Sequence, residues 1–156
     1  IYEELKELDY VVVPVGGGGF CSGTLSATLR FSPKTKVIGV EPFLARDAKD
    51  SIEKGTIQPE YPPVTLAEGV RTSIGDITFS FLKEFLSDII LVEEEEMIQA
   101  SRLFQERMKL VVEISGALVL AAIIKDQRFR GKRVAAIISG GNMDLSVFFN
   151  SLKAKL

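Results

Sequence analysis

Four consecutive glycines, Gly16, Gly17, Gly18 and Gly19, stand between an apolar run that ends at Val15 and a segment of helical spacing that begins at Cys21. Glycine has no Cβ, so such a run lets backbone N–H groups come up against an anion with no side chain in the way. The amides of Phe20 and Cys21 fall at the expected helix start, where they have no intrahelical partner and would add to the cradle. Phosphate is the anion this arrangement suits. The run is not a P-loop, since no Lys-Ser/Thr follows, and it lacks the register of a dinucleotide fingerprint; a tight packing turn is the plain alternative. A second glycine site, Ser139-Gly140-Gly141-Asn142, closes another apolar run. Open parallel sheets hold their ligands at the carboxyl ends of strands, and a serine hydroxyl there can donate to or accept from a ring nitrogen. Ser-Gly-Gly alone is also an ordinary turn. Together the two sites point to a phosphorylated ligand with an aromatic ring, held by its phosphate at one strand end and by its ring nitrogen at another.

The elements that must position these residues follow from periodicity. Tyr10 to Val15, Lys36 to Glu41, Asp88 to Val92 and Arg133 to Ser139 read as strands, apolar runs without polar alternation. Helical spacing runs over Cys21 to Arg30, Arg46 to Lys54 with a stop at Gly55, Ile77 to Leu86, Glu93 to Met108, Glu113 to Lys125 and Leu145 to Leu156. The glutamates that open the fourth of these suit the positive end of a helix dipole. Thr56 to Thr72 holds three prolines and no period, so it is expected to be an extended excursion outside the core. Strands that alternate with helices and show no polar face imply an α/β fold: a mainly parallel twisted sheet with helices on both faces. No repeat or linker divides residues 1–156.

Composition bounds the partners. The 156 residues are 46% hydrophobic and 26% charged, with 19 basic against 21 acidic side chains, which suits one ordinary core and excludes disorder. With no basic surplus, neither nucleic acid nor a membrane surface is an expected partner. Cys21 is the single cysteine, so there is no intrachain disulfide framework and no multi-cysteine zinc site, and the cytoplasm is the default location. The first residues carry no signal-peptide pattern. The chain opens on Ile1 and its first methionine is Met97, so it reads as a piece of a longer protein.

Four motifs, VPVGGGG (13–19), EGVRTSIG (68–75), ERMKLVVE (106–113) with Gly116-Ala117, and SGGNMDL (139–145), resemble in order and spacing the second half of the pyridoxal-phosphate enzymes of the serine racemase and threonine/serine dehydratase group, which have fold type II. The resemblance covers essentially the whole chain. It implies that Gly16, Gly17, Gly18 and Gly19, with the Phe20 amide, hold the phosphate of pyridoxal phosphate. It places the Gly69 backbone toward the hydroxyl side of the ring, Ser139 with Gly140 at the pyridine nitrogen, and Glu113 near the cofactor face. A neutral hydroxyl at that nitrogen does not hold it protonated, which suits racemisation and β-elimination of serine or threonine better than transamination. The whole enzyme is expected to be a homodimer.

The segment Glu41-Pro42-Phe43-Leu44-Ala45-Arg46-Asp47 resembles the serine racemase cation site, which implies Glu41, the Ala45 carbonyl and Asp47 as ligands. Oxygen donors alone mean magnesium (Mg2+), or calcium or manganese, rather than zinc. A helix-capping aspartate beside an unrelated glutamate is the alternative. The family's Schiff-base lysine belongs to the amino-terminal portion, and no lysine here stands in its Ser-x-x-Lys type of context. Ile114-Ser115 replaces the commoner Pro-Thr/Ser after the glutamate. The chain is accordingly expected to be the carboxyl-terminal, cofactor-binding portion of such an enzyme, inactive alone. A non-catalytic phosphate-ligand module and a regulatory subunit are the rival readings.

Overall fold

The computed structural model describes residues 1–58, 64–144, 146 and 148–150. Four strands among them form one sheet: β1 (Tyr10–Pro14), β2 (Lys36–Pro42), β3 (Asp88–Val92) and β4 (Val134–Ala136). Their spatial order is β3-β2-β1-β4, and every neighbouring pair is parallel. The crossovers carry α1 (Gly19–Phe31), α2 (Asp47–Lys54), α3 (Asp76–Phe85), α4 (Glu94–Leu103) and α5 (Ile114–Lys125).

Successive strand side chains point to opposite faces, and here each face has its own cover. Val12, Ile38, Val40, Ile90 and Val92 pack with Met97 and Ala100 of α4 and with Ala117 and Leu118 of α5. On the other side Val13, Val37 and Ile89 meet Cys21 and Leu25 of α1, Ala48 of α2 and Leu82 of α3. Val11, Val12 and Val13 are therefore all fully buried, which is why β1 shows no polar alternation. The expected α/β sheet with helices on both faces is the architecture found. No helix among the described residues is long and apolar enough to cross a membrane.

Local chemistry sets the element ends. Glu96 reaches back to accept the Glu93 N–H at 2.7 Å, a cap that fixes the start of α4. Glu94 accepts from the Thr65 hydroxyl at 2.6 Å and the Leu66 N–H at 2.8 Å, so the acidic start of α4 tethers a distant segment as well as meeting the helix dipole. The helix expected to Met108 widens into a π-turn over Phe104–Met108 and stops at Lys109, whose φ of 58° is left-handed.

Two expectations need revision. The 56–72 stretch is not wholly outside the core, because Thr65, Ala67 and Val70 are buried around a single helical turn at Glu68–Val70; residues 59–63 lie outside the described residues. The last strand is shorter than expected, three residues with one further ladder bond from the Ile137 N–H to the Val12 carbonyl. The helix expected over 145–156 is helical at the described residues Ser146 and Phe148 to Asn150, and the rest of it lies outside the described residues; Phe148 is buried with α5 in one cluster.

Candidate functional site

The β1 strand delivers its chain directly into the glycine run, and α1 leaves from it. Gly18 has φ 84°, and a Cβ there would lie 2.7 Å from Cβ of Thr78, so only glycine fits. Among the described residues the N–H groups of Gly16, Gly18, Gly19 and Phe20 have no acceptor. They face a cavity of about 140 Å³ that is also lined by Gly17, Cys21, Gly69, Val70, Glu113, Ser115 and Ser139. Gly17 differs from its neighbours. Its N–H donates to the Thr72 hydroxyl at 3.0 Å, and its carbonyl accepts from the Thr78 hydroxyl at 2.7 Å. Gly17 thus lines the cavity without offering a free amide. Phe20 is 53% exposed and lines the cavity. Cys21 is fully buried, and burial, helped by the Glu41 charge, pushes its thiol up to about 12, so it packs and does not react.

The opposite wall is built where the amino end of α5 meets the turn after β4. The Glu113 N–H donates to the Gly140 carbonyl at 3.3 Å. Gly140 has φ 81°, and a Cβ there would lie 2.5 Å from Glu113 Oε1, so the carboxylate rests against bare backbone. Ser115 donates to the same Oε1 at 2.7 Å. A Cβ at Gly69 would come within 2.7 Å of Ser115 Oγ, so the Glu68–Val70 turn closes on this pair. Ser139 is half-buried, lines the cavity, and its hydroxyl has no partner among the described residues. The structure brings Gly16 to Phe20, Gly69, Glu113, Ser139 and Gly140 to one place. Free amides at one end and an unengaged hydroxyl at the other fit an anionic group joined to a ring with a nitrogen. A second cavity of about 270 Å³ adjoins, sharing Gly69, Glu113 and Ser115 and adding Asn142 and Asp144.

Glu41, Ala45 and Asp47 gather separately, at the end of β2 and the start of α2. Glu41 is fully buried, and its carboxylate accepts the Ala48 N–H at 3.1 Å and the Lys49 N–H at 2.8 Å. Burial, opposed by the Lys49 amide and reinforced by the charges of Asp47 and Asp50, pushes its carboxyl up to about 8. Asp47 Oδ2 accepts the Ile74 N–H at 2.8 Å. A carboxylate raised by burial, with acidic neighbours adding to it, is what a hard cation would relieve. Among the described residues no group of three or more His, Cys, Asp and Glu side chains could hold a metal, so a cation here would need backbone carbonyl and water as well.

Thr72, Thr78 and Ser115 border the site, and the sequence does not single them out. Thr78 carries a usable signal: a hydroxyl three positions after the residue preceding a helix is a capping position. Thr72 lies inside the 68–75 motif and Ser115 follows Glu113, which marks their segments but not their partners.

A family model for the pyridoxal-phosphate-dependent enzymes matches residues 1–140, and the chain belongs to that family. It is 43% identical over 152 residues to a serine racemase of Dictyostelium discoideum, covering 94% of this chain and 47% of that protein. An L-threo-3-hydroxyaspartate ammonia-lyase of Pseudomonas sp is 41% identical over 148 residues, with 94% and 46% covered. The crystal structure of a T.th. threonine deaminase superposes with a TM-score of 0.84 at 46% identity, over 88% of this chain and 51% of that one. The chain spans about half the length of the curated relatives it matches.

Proposed function

We propose that this chain is the cofactor-binding, carboxyl-terminal portion of an enzyme that racemises or β-eliminates serine, threonine or a similar hydroxy amino acid with pyridoxal phosphate. The observation that carries the reading is the single cavity between unengaged amides of the glycine run and the unengaged Ser139 hydroxyl. Relatives named as serine racemase and as hydroxyaspartate ammonia-lyase support the reaction class. The N–H groups of Gly16, Gly18, Gly19 and Phe20 bind the phosphate, helped by the positive end of α1. Ser139 holds the ring nitrogen through a neutral hydroxyl, and the Gly140 turn, propped by Glu113, fixes that hydroxyl in place. The Gly69 backbone borders the ring's hydroxyl side, and Glu113 borders its face. When bound, pyridoxal phosphate supplies the electron sink that acidifies the α-hydrogen of the amino acid.

Glu41, the Ala45 carbonyl and Asp47 hold a divalent cation, Mg2+ before Ca2+ or Mn2+, in the same proposal. The complete enzyme is a homodimer, and the lone Cys21, with no disulfide partner in this chain, supports a cytoplasmic setting.

The test uses the protein from its complete reading frame. Wild type should bind pyridoxal phosphate, followed by absorption, and turn L-serine or L-threonine into the D-isomer or a keto acid. Gly19→Asp, where an added Cβ meets nothing within 4 Å, places a carboxylate at the cradle and should abolish binding of the phosphorylated cofactor. Equal affinity in wild type and in a folded Gly19→Asp protein overturns the cradle assignment.

A further inference from the structure

The site residues are held by backbone that has to be held itself, and one peptide of the cradle is gripped from outside. Gly17 gives its N–H to Thr72 Oγ1 at 3.0 Å, and its carbonyl receives Thr78 Oγ1 at 2.7 Å and the Gly75 N–H at 3.4 Å. The Thr78 hydroxyl also accepts the Gly75 N–H at 3.1 Å. A hydroxyl has a single proton, and the shorter distance gives it to Gly17 rather than to the Gly75 carbonyl, which lies at 3.0 Å. Both groups of one residue, 55 and 61 residues away in sequence from their side-chain partners, are thereby fixed. A run of four glycines has the largest backbone freedom any sequence can give, so a cradle with its amides aligned needs such an external hold.

We propose that Thr78, assisted by Thr72, is a positioning residue that orients the phosphate cradle by clamping the Gly17 backbone. The neighbouring amides of Gly18, Gly19 and Phe20 stay free and aligned because the backbone before them cannot rotate. Thr78 is the stronger arm, being half-buried with a short bond, whereas Thr72 is exposed and competes with water. The segment that carries both threonines is anchored at its middle, where the buried Ile74 donates its N–H to Asp47. The clamp is therefore part of a fixed strut and not of a loose loop.

The proposal rests on reading the glycine run as the phosphate cradle, and the experiment separates the two. In the protein from its complete reading frame, affinities for pyridoxal phosphate and for unphosphorylated pyridoxal are measured for wild type, Thr78→Val, Thr78→Ser, Thr72→Val and the Thr72→Val/Thr78→Val pair. Thr78→Val should weaken pyridoxal phosphate by about tenfold and leave pyridoxal within about twofold, one hydrogen bond's worth of ordering acting on the phosphate alone. Thr78→Ser should restore wild-type affinity, and Thr72→Val should cost less. In the double variant the losses should not add, since both act on one residue's backbone. If Thr78→Val fails to fold, Thr72→Val carries the same comparison, with a selective loss expected and its absence overturning the clamp. Unchanged phosphate selectivity in folded Thr78→Val, or equal loss for both ligands, overturns it too. A wild type with no preference for the phosphorylated ligand overturns the cradle reading itself.

Discussion

Glu41 shows how a single side chain can be both scaffold and liability. Its carboxylate caps the amino end of α2 through the Ala48 and Lys49 amides, yet burial beside Asp47 and Asp50 pushes it up to about 8. A carboxyl raised from 4.5 to about 8 makes the folded chain bind more protons than the unfolded one between those values. Stability from this group is then greatest at low pH and is lost as pH rises through about 8. In chelator, the melting temperature should fall from about pH 6 to about pH 8.5, and Glu41→Gln should remove most of that slope. Magnesium should restore stability most at the high end, where it need not displace a proton. A slope identical in Glu41→Gln assigns it to other groups. Gly140 makes a second case at this scale. Gly140→Ala would push a methyl into the Glu113 carboxylate at a φ of 81°, and it should cost about 1–3 kcal/mol of stability. It should also weaken pyridoxal and pyridoxal phosphate alike, because it disturbs the ring end and not the cradle. Titrations of both ligands and thermal melts check this.

Among elements, the 72–78 segment does what neither glycine run could do for itself. It touches the cradle through Thr72 and Thr78 and touches α2 through Ile74. Asp47→Ala should leave the buried Ile74 N–H without an acceptor, a loss of about 1–3 kcal/mol, and should end any magnesium-dependent rise in melting temperature. Asp47→Asn keeps an oxygen for Ile74 and should lose mainly the metal response. Thermal shift with and without magnesium distinguishes them, and equal responses in all three proteins move the cation elsewhere. This segment also shows where the sequence is hard to read. Strands such as Val11 to Val13 are legible because both faces are buried, helices such as α3 because their apolar spacing is helical, and α5 because it is a long run of small and aliphatic residues. The burial of Thr65, Ala67 and Val70 is not, since it depends on Glu94 and α5, which lie far along the chain. The glycine runs are visible as composition. The threonines that hold Gly17 are not, because a hydroxyl's partner is a fact of tertiary structure.

Taken whole, the molecule presents a cavity lined by the glycine run at one end and by Ser139 at the other. Neither of the two adjoining cavities has a lysine among its described lining residues. The prediction is that residues 1–156 alone bind pyridoxal phosphate reversibly and turn over neither L-serine nor L-threonine. A catalytic amine must be positioned and kept unprotonated, and lysines in water stay charged near neutral pH. Borohydride treatment with excess cofactor, followed by peptide mapping, should find no stoichiometrically labelled lysine. One such lysine together with turnover would place the amine in this chain.

The strand order carries a consequence in time. β1 lies in the middle of the sheet, between a strand that follows it closely and β4, whose docking joins Arg133 to Asp9 across 124 residues. The threonine grip on Gly17 closes a span of only 61. Doubling a loop costs about 0.6 kcal/mol of closure entropy, a small equilibrium effect, but distant pairings are slow to form. Contacts of shorter span close sooner, so the grip of Thr72 and Thr78 on Gly17 is expected to form before the β4 pairing that brings Ser139 into place.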